Sequence, residues 1–353
     1  MAQHAVTRRT FAATLGAAGL YLLGSRPLFS QGSAARSAAE SVGRIDTHHH
    51  ILPPEYVRLV GRQAIGRPSP SGAPDWDVAA SLRVMDENGI AAAVVSISAP
   101  GIWFDDVGLA KRLARYCNDF AAQMAADHPQ RFGFFAALPL PDVQTSLAEI
   151  GHAVETLKCD GVGLMTNYGN RYLGDPGFSP VFEEMNRRGL IVYVHPNTCS
   201  CDLDVLPGIP SSMIEFPHST TRTIVSLLAS DAFMRWPNIR FIFSHAGGTI
   251  PFLVNRIIWQ ATVLGKQGWL DQLHKLYYDI AGSANAAAFG PLLKLVTSKQ
   301  IVFGSDFPFN AAPGVKGSVE SLHSLGLSAE ELQDIEVANA RSLFQRFSIR
   351  GGA

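Results

Sequence analysis

Cysteine is scarce in this chain, with four in 353 residues, and no two of them stand at the C-x-x-C spacing of a zinc ribbon or dithiol redox site. Cys117 and Cys159 fall within helical patterns and read as small core residues. Cys199 and Cys201 flank Ser200 in a loop; a further metal ligand or a redox pair is conceivable there, but no function is assigned to them. A surplus of one charge is also missing, since 29 basic residues face 30 acidic ones. That balance argues against a nucleic-acid protein, which usually carries a basic surplus or stripe. The glycine fingerprints that cradle phosphates are absent, which weighs against a nucleotide-binding sheet. Beyond the N-terminus no segment is apolar enough to cross a membrane, which takes ~20 residues.

One absence is local. Residues 1–39 contain Arg8, Arg9, Arg26 and Arg36 and no acid. The stretch 7-TRRTFAATLGAAGLYLL-23 pairs two arginines with an apolar run, and small residues follow at 33-SAARSAA-39. This order of basic, apolar and small residues predicts a cleaved export signal of the twin-arginine type, and so a periplasmic or otherwise exported protein. Its removal leaves 25 basic and 30 acidic residues, a mildly acidic mature chain. With 47% apolar residues, the remainder, 40–353, is long enough for one large core.

What is present is an alternation. Strand-like runs occur at 43–49, 91–98, 132–138, 161–165, 190–195, 239–245, 275–281 and 300–306, with amphipathic stretches between them. In 76-WDVAASLRVMDENG-89, Val78, Leu82 and Met85 keep helical spacing and Gly89 supplies a stop; Ser328 and Glu331 form a capping-box signature for the last helix. Eight such units predict an α/β protein with a closed (β/α)8 TIM barrel rather than an open sheet.

In that architecture the reactive residues belong at the C-terminal ends of the strands. The first strand runs into 44-RIDTHHHILPP-54, where His48 and His50 share a face because extended residues two apart point the same way. The fifth ends in His195, the sixth in His245 and the eighth in Asp306. Each residue alone has an ordinary structural explanation, as a hydrogen-bonded histidine or a backbone-capping aspartate. Together on one rim they point to a metal site. His48, His50, His195 and Asp306 supply a shell suited to Zn2+, with Mn2+ or Fe2+ possible on the same ligands. Asp46 is a candidate to orient a ligand. The fourth strand ends 161-GVGLMTN-167 without a bridging lysine or glutamate, which favours one metal and leaves His245 for proton transfer. Trp103, Phe104, Tyr168, Phe307 and Phe309 are placed to hold a planar ring, Arg222 to meet an anion, and 196–216 to form a lid.

The segments 46-DTHHHILPP-54, 193-YVHP-196, 239-IRFIFSHAGGTIPFLVNRI-257 and 302-VFGSDFPF-309 resemble the amidohydrolase superfamily. More narrowly they resemble its amidohydrolase-2 branch, which includes aminocarboxymuconate-semialdehyde decarboxylase. Two further stretches, 92-AAVVSISAPGIWF-104 and 161-GVGLMTNYGNRYLGDPGFSPVFEEMNRRG-189, look most like 6-methylsalicylate decarboxylase-type proteins. The resemblance implies a barrel, one divalent metal at the positions named and a catalytic His245. It also implies loss of CO2 from an aromatic or unsaturated acid without an oxidant, and often a homodimer. Relatives acting on aminocarboxymuconate semialdehyde hold substrate with an arginine after the first strand; this loop offers Arg58, Arg62 and Arg67, none aligned with that position. In the decarboxylase reading, His245 or Asp306 delivers the proton to carbon. A hydrolase of a lactone, ester or amide is the alternative on the same ligands, and a metal-dependent binding protein is a more distant one.

Overall fold

The computed structural model describes residues 43–65, 72–199, 206 and 209–347; the expected signal segment, Arg67 and Cys201 lie outside them. Eight strands form the main sheet among the described residues: Arg44–His50, Ile90–Ser96, Phe132–Ala137, Gly161–Met165, Ile191–His195, Arg240–Phe243, Tyr277–Asp279 and Ile301–Val302. Each pairs in parallel with its neighbour in the chain. The circle closes by backbone bonds from Thr47 N–H to the Phe303 carbonyl (2.9 Å) and from Asp306 N–H to the His48 carbonyl (2.8 Å). This is the (β/α)8 barrel that the alternation predicts.

Side-chain parity explains the two cores. Ile45, Ala92, Val94, Phe135, Tyr193, Ile242 and Val302 pack within the barrel, with Phe135 and Tyr193 stacked at 4.9 Å. The intervening positions, such as Val95, Phe134, Val162, Val192, Val194 and Phe303, face the helices. Strands buried on both faces are therefore nearly continuous apolar runs. Three of the helices between them start on aspartate caps: Asp77 accepts from Ala80 N–H, Asp106 from Leu109 N–H and Asp142 from Thr145 N–H. The helix read at 76–89 occupies Val78–Glu87 and stops at Gly89, whose φ of +63° suits glycine.

One expectation needs correction. The sixth to eighth strands are shorter than their apolar runs; the sixth stops at Phe243, just ahead of the left-handed turn at His245 (φ 53°). The helix opened by the Ser328–Glu331 capping box is not regular to its end; after Ala329–Gln333 it widens to a π turn over Asp334–Ala338, then resumes at Asn339–Leu343. The π turn carries buried Glu336 to Arg44 at 2.6 Å and Asp334 to Ser298 at 2.7 Å, tying the helix to the lower end of the barrel. No described helix is long and apolar enough to cross a membrane.

Candidate active site

His48, His50 and His195 are inside the barrel because their strands are. Along Ile191–His195, residues 191, 193 and 195 face inward. The first strand needs one adjustment. Its pairing with the second shifts register between Asp46 and His49, so His48 and His50 return to the inward face that Ile45 occupies. Strand parity in the sixth unit would send Ser244 inward. The left-handed turn at His245 aims the next side chain at the site instead. Non-glycine residues in that conformation cost about 1–3 kcal/mol and collect at functional sites. Here the turn is held by His245 N–H donating to Asp279 Oδ1 (2.9 Å).

The inward atoms converge. His48 Nε2 and His50 Nε2 are 3.0 Å apart, and each lies 3.3 Å from Asp306 Oδ1. Asp306 Oδ2 is 3.5 Å from His245 Nε2. His48, His195, His245 and Asp306 each offer one ligand atom within 4.8 Å of all the others. That group includes His245 and not the expected ligand His50, which joins the cluster through His48 Nε2 and Asp306 Oδ1.

The outer nitrogens are already committed. His48 Nδ1 is 2.8 Å from Asp279 Oδ2, and His50 Nδ1 is 3.2 Å from Ser96 Oγ. With those nitrogens donating, the Nε2 lone pairs face the common point, the arrangement a metal-ligating imidazole requires. Nδ1 of His195 and Nδ1 of His245 are buried with no hydrogen-bond partner. Two facing imidazole lone pairs, a shared carboxylate oxygen and unpartnered ring nitrogens fit a divalent cation.

The electrostatics agree. Burial alone would depress His48, but Asp279 and Asp306 outweigh it and push that imidazole up to about 10. Burial pulls His50 down to about 4, and it holds His195 well below its ordinary value with help from His50, His48 and His245. Burial opposes the charge on Asp306, yet His48 and His245 hold its carboxyl well below the usual range. Asp306 ionised and His50 and His195 neutral are already in their ligand forms, whereas His48 holds a proton that a bound cation would displace.

Asp279, at the end of the seventh strand, is the functional residue that sequence reasoning missed. The signal was there: a lone carboxylate closing the apolar run 275-KLYYDIA-281 on the same rim. Asp46, expected to orient a ligand, instead accepts from His48 N–H (3.1 Å) and Ser305 N–H (3.0 Å) and pairs with His49 Nδ1 (3.0 Å). It fixes the backbone that carries the site rather than a ligand ring. Gly304 is required nearby, since a Cβ there would stand 2.7 Å from His48 Cβ.

A cavity of about 700 Å³ opens above His195, His245 and Asp306, walled by Ser98, Phe216 and Phe309 among others. A second chamber of about 450 Å³ shares Ile65, Ala99 and Phe216 with it and is lined by Trp103, Phe104 and Tyr168. Two expected contacts lie elsewhere. Phe307 is buried against His49, ring centres 5.2 Å apart, behind the site. Arg222 is exposed on the helix Ser211–Ala229 with its guanidinium 3.5 Å from the Tyr172 hydroxyl, and it lines neither cavity. Arg58 pairs with Glu55 and Arg62 with Asp75, both at the surface. Of the expected lid, Ser212, Met213 and Phe216 at the start of that helix face the cavity, and 200–205 lie outside the described residues. Cys199 is disulfide-bonded, so no thiolate of it is left for a metal.

Residues 45–346 match the amidohydrolase family profile. The chain belongs to the amidohydrolase family. Within reach of the family are Decarboxylase yanB of Aspergillus niger, 35% identical over 326 residues, covering 87% of this chain and 88% of that one. The 6-methylsalicylic acid decarboxylase of Penicillium expansum is 33% identical over 316 residues, covering 86% and 97%. Among solved structures, an amidohydrolase II superposes with a TM-score of 0.79 at 28% identity, covering 85% of this chain and 99% of that chain. The manganese-bound 5-carboxyvanillate decarboxylase of Novosphingobium aromaticivorans superposes at 0.76 with 19% identity, covering 86% and 96%, a likeness of fold.

Proposed function

We propose that this enzyme is a metal-dependent, non-oxidative carboxy-lyase that removes CO2 from a small aromatic or unsaturated hydroxy acid such as a salicylate derivative. The observation that carries the reading is the convergence of four histidines and Asp306 beneath a cavity, in a chain a third identical over most of its length to two decarboxylases. His48, His50, His195 and Asp306 would hold one divalent ion, Zn2+ or Mn2+. When bound, that ion supplies positive charge to fix and polarise the substrate's carboxylate and neighbouring phenolate.

The protein's own groups do the rest. Asp279 and Ser96 hold the rings of His48 and His50 in orientation through their Nδ1 atoms. His245 and Asp306, 3.5 Å apart at the cavity floor, share the proton that passes to the ring carbon bearing the carboxylate. The carbon–carbon bond then breaks, CO2 leaves and the bond electrons restore the aromatic ring. Phe216, Phe309 and Ile65 keep the chamber poor in water, which strips the leaving carboxylate of hydration.

The test uses Zn2+- or Mn2+-loaded protein, a panel of ortho-hydroxybenzoates including 6-methylsalicylate, and D2O. CO2 release with one deuterium at the vacated ring carbon is expected. Turnover of lactones or esters without CO2 from any acid would assign the same site to a hydrolase.

Two further readings belong here. The basic, apolar and small-residue order of 1–39 supports export by the twin-arginine route, which fractionation of cells expressing the full chain would check. Phe252, Trp259 and Leu264 are 82%, 63% and 72% exposed in and just after the helix Ile250–Val263, which supports a homodimer through that face. Sedimentation of the Trp259→Glu variant should then show a monomer.

A further inference from the structure

The two chambers together hold more than one ring needs. Pockets of roughly 300–1,000 Å³ each take a drug-sized ligand, and the chambers here measure about 700 and 450 Å³. Their chemistry differs. The first holds the reacting groups and the small polar residues Ser98, Ser283 and Asn310. The second is walled by Ile102, Trp103, Phe104, Met165 and Tyr168, and Asp105 is its one charged lining residue among those described. The Tyr168 hydroxyl is already occupied, accepting from Met165 N–H at 3.2 Å. The Asn167 amide is likewise occupied, donating to the Gly169 carbonyl at 2.8 Å. The chamber's wall at Ile102, Trp103, Phe104, Met165 and Tyr168 is therefore apolar and aromatic, with Asp105, Asn197, Thr198 and Ser211 as the polar part of its lining.

We infer that the second chamber is a subsite for an uncharged apolar substituent on the substrate ring, so that the enzyme prefers salicylate-type acids carrying an alkyl or aryl group larger than methyl. This rests on the reading of the first chamber as the decarboxylation site. A second carboxylate is disfavoured there, because Asp105 repels it and no described lining residue carries a positive charge. The shared wall of Ile65, Ala99 and Phe216 sets the passage between ring and tail. Each methylene buried on apolar surface raises affinity by roughly fourfold. Four added methylenes should thus give on the order of tenfold or more after chain ordering is subtracted.

The experiment measures two things on the metal-loaded full chain. One is kcat/KM for 6-methyl-, 6-propyl- and 6-pentylsalicylate. The other is calorimetric binding of the matching products, 3-methylphenol and 3-pentylphenol, which needs no turnover. At least tenfold tighter binding of 3-pentylphenol is expected, with kcat/KM rising along the acid series. Ala64→Phe, which fills only the second chamber, should erase that preference while leaving 3-methylphenol binding within about threefold. Should that variant fail to fold, Trp103→Ala reads the same ratio and should shrink it. Equal or weaker binding of the longer phenol overturns the inference, as does a preference that survives both substitutions. Length-dependent phenol binding with no CO2 from any acid would spare the subsite and remove the decarboxylase reading. CO2 from 6-methylsalicylate without a length preference would do the reverse.

Discussion

Single residues set the chemistry, and Asp279 shows how. Its Oδ2 meets His48 Nδ1 while its Oδ1 accepts from the backbone N–H of His245 and Ala281. One carboxylate thus orients a ligand on the first strand and holds the turn that aims His245. Asp279→Asn keeps an acceptor for the backbone but loses the charge that makes His48 a strong ligand. Metal affinity should fall about 10–100-fold, read as metal content after dialysis against graded chelator, with the circular dichroism spectrum unchanged. Gly304 makes a steric case. An alanine there meets His48 Cβ at 2.7 Å and Asp279 Cβ at 3.3 Å, both on buried backbone. Gly304→Ala should cost about 1–3 kcal/mol by overpacking, visible in the urea midpoint, and should lower metal content as well. His245→Ala removes one of the two groups proposed to carry the proton; a loss of roughly 10²–10⁴ in kcat is expected, with metal content retained, as a place beside the shell requires.

At the scale of elements, caps and pairs fix where helices start and how they lean on the barrel. Ser328→Ala removes one half of a capping box whose side chains reach the backbone of residues 328 and 331. A cost of about 1 kcal/mol follows, with kcat unchanged because the helix sits far below the cavity mouth. In the helix Ser179–Arg188, Glu184 accepts from Arg187 and Arg188, and its carboxyl is held down at about 2, Arg187 first among the causes. A depressed carboxyl stabilises the fold above its ordinary titration range and stops doing so as pH falls through the folded value. Glu184 keeps contact with water and Arg187 is exposed, so the contribution is about 1 kcal/mol or less. The gap in urea midpoint between the parent and Glu184→Gln should therefore be widest near neutrality and narrow as the pH drops below the usual carboxylate range.

Across the whole molecule, the proposed metal donors His48, His50, His195 and Asp306 come from the first, fifth and eighth strands, so a bound ion would tie distant parts of the chain together. A cation that binds the folded chain and not the unfolded one stabilises by about 2.7 kcal/mol at a hundredfold excess over Kd. Stripping with a chelator should lower the melting temperature and abolish turnover together, and reloading with Zn2+ or Mn2+ in separate samples should restore both. Whichever ion restores turnover more fully at equal occupancy identifies the working metal.

The sequence by itself determined the fold class and the rim. Eight apolar runs with helical spacing between them can bury their surface only as parallel strands under helices, and period-two parity then sends His195 inward from its strand. His48 and His50 were legible as a pair for the same reason. Tertiary structure decided the rest. A register shift between Asp46 and His49 put that pair on the inner face rather than the outer, and the left-handed turn at His245 re-aimed a side chain that parity would have misplaced. Phe307 went behind His49 and Arg222 to the surface, because a loop aromatic or a helical arginine carries no record of which way its backbone will point. Asp279 gained its role only through a contact between positions 231 residues apart, and a distance of that kind is written in the closed barrel, not in local pattern.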